Sequence, residues 1–201
     1  MDSEPEQSPR PPSAQIAEVR LLAVAGPPPP ELDRLLGRLS RRLAVPCRRS
    51  PPRSDLGGRE LSGRDQLDAD SLLGNLEAIA AEPATPLVGL TDRDLGLPIF
   101  THVFGLARVG GNAAVVSLAR LRPDNYGEPA NPELLLERTI AEILHELGHV
   151  AGLGHCRDAN CLMHFCSRIE AADVRGSELC EACAALLPVD EAGHSLPFRR
   201  R

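Results

Sequence analysis

The sequence predicts a single α/β domain with a mixed, twisted sheet, an antiparallel edge strand and a cysteine-rich C-terminal region. Three features predict it. Strand-like apolar runs alternate with helical runs through the first half of the chain, the pattern that gives parallel pairing through helical crossovers. Two apolar runs then flank Gly110-Gly111-Asn112, which is hairpin chemistry because tight hairpin turns need positive φ. Beyond them come one long helical run and five cysteines within 28 residues, Cys156 to Cys183.

Taken in order, residues 1–14 are polar, acidic and proline-containing and are expected to be a disordered tail; they lack the basic start and apolar run of a signal peptide. Gln15–Val24 alternates loosely and is the first strand. Prolines before Glu31 suit the first turn of a helix, and Leu32, Leu35, Leu36, Leu39 and Leu43 recur at helical spacing. Leu43–Cys47 is a short strand, residues 51–65 a loop rich in turn formers, residues 68–82 a second helix and residues 86–92 a buried strand. Residues 99–109 and 112–121 are the hairpin strands. Asn131-Pro132-Glu133 then combines an N-cap, a first-turn proline and an acid favourable to the helix dipole. The domain is expected to span 15–188, with a polar tail over 189–201.

Composition narrows the function. Hydrophobic residues make up 42% and charged residues 25%, the mix of a globular chain, and no run of apolar residues is long enough to span a membrane. All 22 basic residues are arginine, and the net charge of -6 argues against a general nucleic-acid binder. The default compartment is therefore the cytoplasm, where thiols stay reduced and a cysteine cluster signals metal binding rather than disulfides.

In the helix that starts at Pro132, Leu136, Ile140, Ile143, Leu147 and Val150 form one stripe. That stripe lies about opposite His145 and His149, so the helix is expected to bury one side and present both imidazoles from the other. Side chains four apart are neighbours on a helix, so these two rings can share a Zn²⁺ at about 2.0–2.1 Å. Glu146 is turned about 100° from His145 and can reach a water at the metal rather than join the ligands. Gly152 permits a left-handed turn that brings His155 to the same ion, leaving one position open, as catalytic zinc requires. A lone helical histidine is usually a satisfied polar group, and a bare HExxH arises by chance. HExxHxxGxxH fixes five positions and is the metzincin form of the zincin motif.

Cys156 follows His155 directly. Cys156 with Cys161, and Cys180 with Cys183, form two pairs separated by a loop, which matches a closed four-cysteine zinc site with thiolates at about 2.3 Å. Met163 lies between the pairs, and a methionine turn beneath the zinc is the second half of the metzincin signature. Together, His145-Glu146, His149, Gly152, His155-Cys156, Cys161, Met163 and the CxxC at Cys180–Cys183 resemble the archaemetzincins, a family of metzincin-type zinc peptidases. The specific likeness covers Glu142 to Cys183, about a fifth of the chain. The interval from Met163 to Cys180 is one residue shorter than in the family pattern, in the loop where the wall of a substrate pocket would lie.

The resemblance implies a metzincin-like fold and a zinc metallopeptidase. His145, His149 and His155 would hold a catalytic zinc, with Glu146 as general base. Cys156, Cys161, Cys180 and Cys183 would hold a second, structural zinc, giving two per chain, and Met163 would be the Met-turn residue. Cys166 and His164 are further potential ligands; Cys166 is read as a bystander, because the other four keep both pair spacings. Cys47 is expected to be a buried thiol and His102 a polar rim position, and His194 receives no role. The partner is a peptide or protein substrate, bound by strand addition along the edge strand around Val103 to Arg120, and the protein is expected to be a monomer that engages neither membrane nor nucleic acid. The alternative is a catalytically silent zinc-binding interaction module. A zinc ribbon for nucleic acid is disfavoured by the acidic charge and by the lack of a basic-aromatic stretch near the cysteines. Glu146 favours the enzyme, since zinc binding alone does not need it.

Overall fold

Every residue of Leu87–Thr91 and of Ala113–Ser117 is buried. Strands covered on both faces belong in the middle of a sheet that carries helices on each side, and both lie there. The structure is a computed structural model that describes residues 16–80, 82, 84–188 and 197–198. Along the chain come β1 (Val19–Ala23), α1 (Leu32–Arg42), β2 (Cys47–Arg49), β3 (Leu67–Asp68), α2 (Ala69–Ile79), β4 (Leu87–Thr91), β5 (Leu95–Leu97), β6 (Phe100–Val103), β7 (Gly105–Ala107), β8 (Ala113–Ser117), α3 (Pro132–Val150), α4 (Ile169–Val174) and α5 (Glu181–Ala184).

The main sheet has the order β2-β1-β4-β8-β7. β1, β2, β4 and β8 run parallel, and β7 returns antiparallel along the edge. Successive side chains of a strand point to opposite faces, and they divide two cores between them. Leu21, Val88, Leu90, Ala114 and Val116 join α1 and α3 on one face. Leu22, Leu87, Ala113 and Val115 join Leu72, Leu73 and Leu76 of α2 on the other. Asp68 caps α2, its side chain accepting from the Asp70 and Ser71 N–H groups. The glycine hairpin forms as expected: Gly110 takes φ 71° and Leu106 lies opposite Val115.

The structure corrects four expectations. The short strand expected over Leu43–Cys47 begins only at Cys47, since Pro46 has no N–H to give a ladder; its carbonyl instead accepts from Val19 N–H. The run 99–109 is two strands rather than one. Phe104 turns into the core, and β6 on its N-terminal side joins a separate sheet of order β3-β5-β6. Arg64 and Gln66 hold that corner by donating to the Thr101 carbonyl, and Arg64 also donates to that of Phe100. The antiparallel edge is accordingly β7 alone, with β8 inside the sheet. Helix α3, finally, is buried on both sides rather than one: Leu136 and Ile140 face the sheet, yet His145, Glu146 and His149 are buried too. The loop after Gly152 and α4 cover the second face. The expected N-terminal tail lies outside the described residues, as does most of 189–201. Pro197 and Phe198 of that segment are described, and both are buried, the Pro197 carbonyl accepting from Ala44 N–H.

Candidate active site and metal centres

Helix α3 begins where its caps require. The Asn131 side chain accepts from Leu134 N–H at 3.1 Å, with Pro132 in the first turn. One face of its last turns carries His145 and His149, whose Nε2 atoms stand 3.2 Å apart. Each ring turns its Nδ1 to a backbone carbonyl, Leu162 O for His145 and Leu153 O for His149, both at 2.8 Å. A carbonyl only accepts, so Nδ1 carries the proton in each ring and Nε2 keeps its lone pair. Two lone pairs facing at this distance repel unless a cation lies between them. Nitrogens about 2.0–2.1 Å from one tetrahedral zinc stand about 3.3 Å apart, which these two do.

Gly152, at φ 100°, makes the turn that ends the helix, and its N–H returns to the His149 carbonyl at 2.9 Å. The turn brings His155 back, its ring centroid 4.8 Å from that of His149 and 5.5 Å from that of His145. One nitrogen from each of the three rings lies within 4.8 Å of the others. Burial, with the Arg175 cation beside it, pushes the His145 imidazole down to about 3. Burial, with His145 beside it, pushes His149 down to about 4, and burial lowers His155. All three are neutral at pH 7, the state a metal ligand needs.

Glu146 stands against β7. A Cβ at Gly105 would lie 2.6 Å from its Oε1, so glycine at that strand position makes room for the carboxylate. Burial first, and then the neighbouring Glu142, hold the Glu146 carboxyl well above its ordinary range. Glu142 is itself buried in an ion pair with Arg175, at 2.9 Å, and Arg175 Nη1 lies 3.1 Å from His145 Nδ1. Neither Glu142 nor Arg175 is singled out in the sequence. Glu142 precedes Glu146 by one helical turn, a periodic hint; Arg175, on another element, gives none.

Behind the histidines the four sulfurs of Cys156, Cys161, Cys180 and Cys183 lie within 4.8 Å of one another. Thiolates about 2.3 Å from a shared tetrahedral zinc stand about 3.8 Å apart. Cys156 Sγ and Cys180 Sγ are 3.8 Å apart. The Met163 and Cys180 N–H groups both point at Cys161 Sγ, at 3.4 Å, as donors that favour a thiolate. Between the cysteines, the Cys156 N–H donates to the Met163 carbonyl at 2.8 Å, which ties the Met163 loop beneath α3. Met163 is fully buried, and a methyl on Gly148 would overlap its sulfur.

The remaining candidates stay out of both groups. Cys166 lines the cleft in front of the histidines, as does His102 on β6. His164 turns its Nδ1 to the Cys156 carbonyl at 3.1 Å. Cys47 is half-buried, its thiol pushed up to about 12 by burial and by Glu18. His194 lies outside the described residues. The cleft itself, about 740 Å³, runs between β6–β7 on one side and His155 with the loop around Phe165 on the other.

The sequence model of Peptidase family M54 matches residues 63–188. The chain belongs to this family. The archaemetzincin of Pyrococcus horikoshii is 46% identical to it over 100 residues, covering 50% of this chain and 53% of that protein. The Methanopyrus kandleri archaemetzincin is 45% identical over 125 residues, 62% of this chain and 67% of that one. Against the first of these M54 relatives the match spans about half of their length. Among solved structures, the M. kandleri archaemetzincin superposes with a TM-score of 0.69 at 34% identity, covering 87% of this chain and 95% of that one. A zinc-dependent peptidase from Methanocorpusculum labreanum gives 0.74 at 26% identity, covering 84% and 98%. The mixed α/β fold is the archaemetzincin fold.

Proposed function

We propose that this M54 chain is a zinc metallopeptidase that hydrolyses peptide bonds. One observation carries the reading: three imidazoles converge, two of them on the helix that carries Glu146, at the wall of a cleft bordered by an edge strand of the sheet. In this reading His145, His149 and His155 hold the catalytic zinc. Cys156, Cys161, Cys180 and Cys183 hold a second, structural one, so that each chain carries two. Zinc at the histidines supplies a Lewis acid that polarises a peptide carbonyl and makes water a better nucleophile at neutral pH.

The protein's own groups do the rest. Glu146 takes one proton from the attacking water, whose oxygen joins the carbonyl carbon, and passes that proton to the amine nitrogen as the C–N bond breaks. Glu142 and Arg175 fix its surroundings: the guanidinium pairs with Glu142 and lies beside the His145 ring, so general base and ligand face share one support. The free edge of β7 offers backbone groups to an extended peptide.

Residues 15–188 act in this reading as one catalytic domain, a monomer with a peptide or protein substrate, in a reducing compartment such as the cytoplasm that keeps the thiols as ligands. The net charge of -6 disfavours a nucleic-acid partner, and among the described residues no helix is long and apolar enough to cross a membrane. The test is turnover of a mixed peptide library by wild type and Glu146→Gln, each with a chelator control. Cleavage that needs metal and falls about 10²–10⁴-fold in the variant supports the mechanism. Metal-dependent cleavage unchanged in Glu146→Gln overturns it, and no cleavage by either protein leaves a silent zinc-binding module.

A further inference from the structure

The chain is poor in aromatic residues: four phenylalanines, one tyrosine and no tryptophan. Three of the four phenylalanines, Phe100, Phe104 and Phe165, line the same cleft. Phe104 has an ordinary explanation, since it is buried and belongs to the main core. Phe100 and Phe165 do not. They are 42% and 48% exposed, and Ile99, next to Phe100, is 85% exposed. A cluster of exposed large apolar groups beside a polar site marks a place where another molecule is bound.

Their geometry says what kind. Phe100 comes from β6 of the small sheet and Phe165 from the loop that follows Met163, so two unrelated segments deliver rings to one place. The centroids are 6.5 Å apart with planes tilted by 50°, at the long end of the range over which aromatic groups attract. Phe165 also stands edge-on to His155 at 5.1 Å. The pair therefore opens beside the most exposed of the three histidines, and Leu97, Val103 and Leu106 continue the apolar wall. Of the charged groups of the cleft, Glu142, Glu146 and Arg175 are buried deeper, and Arg157 is exposed at its rim.

We propose that Phe100 and Phe165 form a clamp for a large apolar side chain of the peptide, at a residue flanking the bond to be cut, and so set the substrate class as peptides with Leu, Met or an aromatic residue there. The proposal rests on the peptidase reading for the position of the bond, but not for the clamp itself. A side chain of this kind buries its own apolar surface and covers both exposed rings at once, so both partners leave water. A small or acidic side chain does neither. A lysine or arginine would have to bind through the ring faces alone.

The experiment measures binding without turnover. The full chain carrying Glu146→Gln, loaded with zinc, is titrated with end-labelled extended peptides identical except for one central residue: Phe, Leu, Ala, Glu or Lys. Fluorescence anisotropy gives each Kd. The Phe and Leu peptides should bind at least about tenfold more tightly than the Ala and Glu peptides, the scale on which apolar pockets discriminate. Adding Phe165→Ala or Phe100→Ala should erase most of that difference while leaving the Ala peptide within about threefold, and Phe165→Leu should restore part of it. Because both rings are half-exposed, these variants keep the fold, which circular dichroism checks. The clamp is overturned if no peptide binds, if the preference survives both alanine variants, or if the Glu or Lys peptide binds best. Cleavage by wild type is scored separately. Metal-dependent cleavage with no apolar preference sinks the clamp and keeps the peptidase. Apolar-selective binding without cleavage does the reverse.

Discussion

Gly148 sits between His145 and His149 on α3, and Met163 fills the space that a side chain there would occupy. Alanine is intrinsically better than glycine inside a helix by about 1 kcal/mol, whereas overpacking a fitted core costs about 1–3 kcal/mol, so the clash decides the sign. Gly148→Ala should lower stability in denaturant melts, and Met163→Ala in the same chain should recover part of the loss, a coupling that a double-mutant cycle reads directly. Additive effects would show that the two do not touch. Gly105 plays the same part for Glu146. Gly105→Ala should displace that carboxylate and lower kcat by about 10², the usual effect of a misplacement near 1 Å, with zinc content unchanged; loss of zinc instead would mean that the strand supports the ligands rather than the base. Neither glycine is marked in the sequence, because the zinc-binding pattern leaves the Gly148 position free and Gly105 looks like an ordinary strand interruption. The histidine and cysteine clusters were legible because metal binding, as proposed for them, imposes fixed spacing. Gly105, Gly148 and Arg175 were not, because their partners approach from elsewhere in the chain. His145 gives the site a pH dependence. Its folded pKa of about 3 lies below the usual value of 6.5, so between these values the unfolded chain takes up a proton that the folded chain refuses. Stability therefore falls as pH drops from 6.5 towards 3 and is unaffected by this group above 6.5. Protein emptied at the histidine site alone should show this slope in its melting temperature, and His145→Asn should make it shallower, with His149 keeping part of it; an equal slope in both would put its origin elsewhere.

At the scale of elements, α3 shows how one helix can be read correctly at its ends and incompletely along its sides. Its N-cap, first-turn proline and apolar stripe were all visible, because each is a local rule. The burial of its histidine face was not, because the cover comes from residues after Gly152 and from α4. Two ion pairs lock that cover: Arg138 to Asp173 at 2.6 Å, and Arg175 to Glu142 at 2.9 Å. Arg138, Asp173, Glu142 and Arg175 look like solvated helix charges in sequence. The hairpin teaches the same lesson in reverse. Its turn was legible from Gly110-Gly111-Asn112, and Gly110 is held at φ 71° with its N–H on the His149 carbonyl. The break at Phe104 was hidden inside a continuous apolar run, since periodicity cannot tell a strand that changes sheet from one that continues. Breaking the outer lock tests whether α4 is a working cover. Asp173→Asn leaves Arg138 buried with a weaker partner, and truncating one side of a buried pair is the costly case. The expected result is faster amide exchange through residues 164–180 and weaker zinc retention at the histidines, with the exchange of β4 and β8 unchanged. Exchange rising equally everywhere would mean that α4 is simply part of the global core.

Across the whole molecule, the sheet separates two cores that differ in what they need. The core on the α2 face is closed by aliphatic packing alone, Leu67, Leu72, Leu73 and Leu76 against Leu87, Ala113 and Val115. The core on the α3 face continues into Cys161, Leu162, Met163 and Cys183, so part of it is built from cysteines that are also proposed as thiolate ligands. Burial pushes the thiol of Cys183 up strongly and also raises Cys161. Both shifts oppose thiolate formation unless a cation is bound, and a metal reverses such shifts by supplying the charge partner. The two proposed zinc ions should therefore come away in order and with different consequences. The histidine site faces the cleft and its ligands are neutral, so a mild chelator such as dipicolinate should remove one equivalent with little loss of fold. The four-cysteine zinc contributes folding free energy directly. Its removal, or Cys180→Ser, should lower the melting temperature by about 10 °C or more, given that a loss of 1 kcal/mol moves a domain of this size by about 2–4 °C. Metal analysis paired with circular dichroism at each chelator concentration measures this. One zinc lost with helicity intact, then the second lost together with the C-terminal structure, is the expected sequence. A single equivalent in the untreated protein, or both ions leaving together without unfolding, would refute a structural role for the cysteine site.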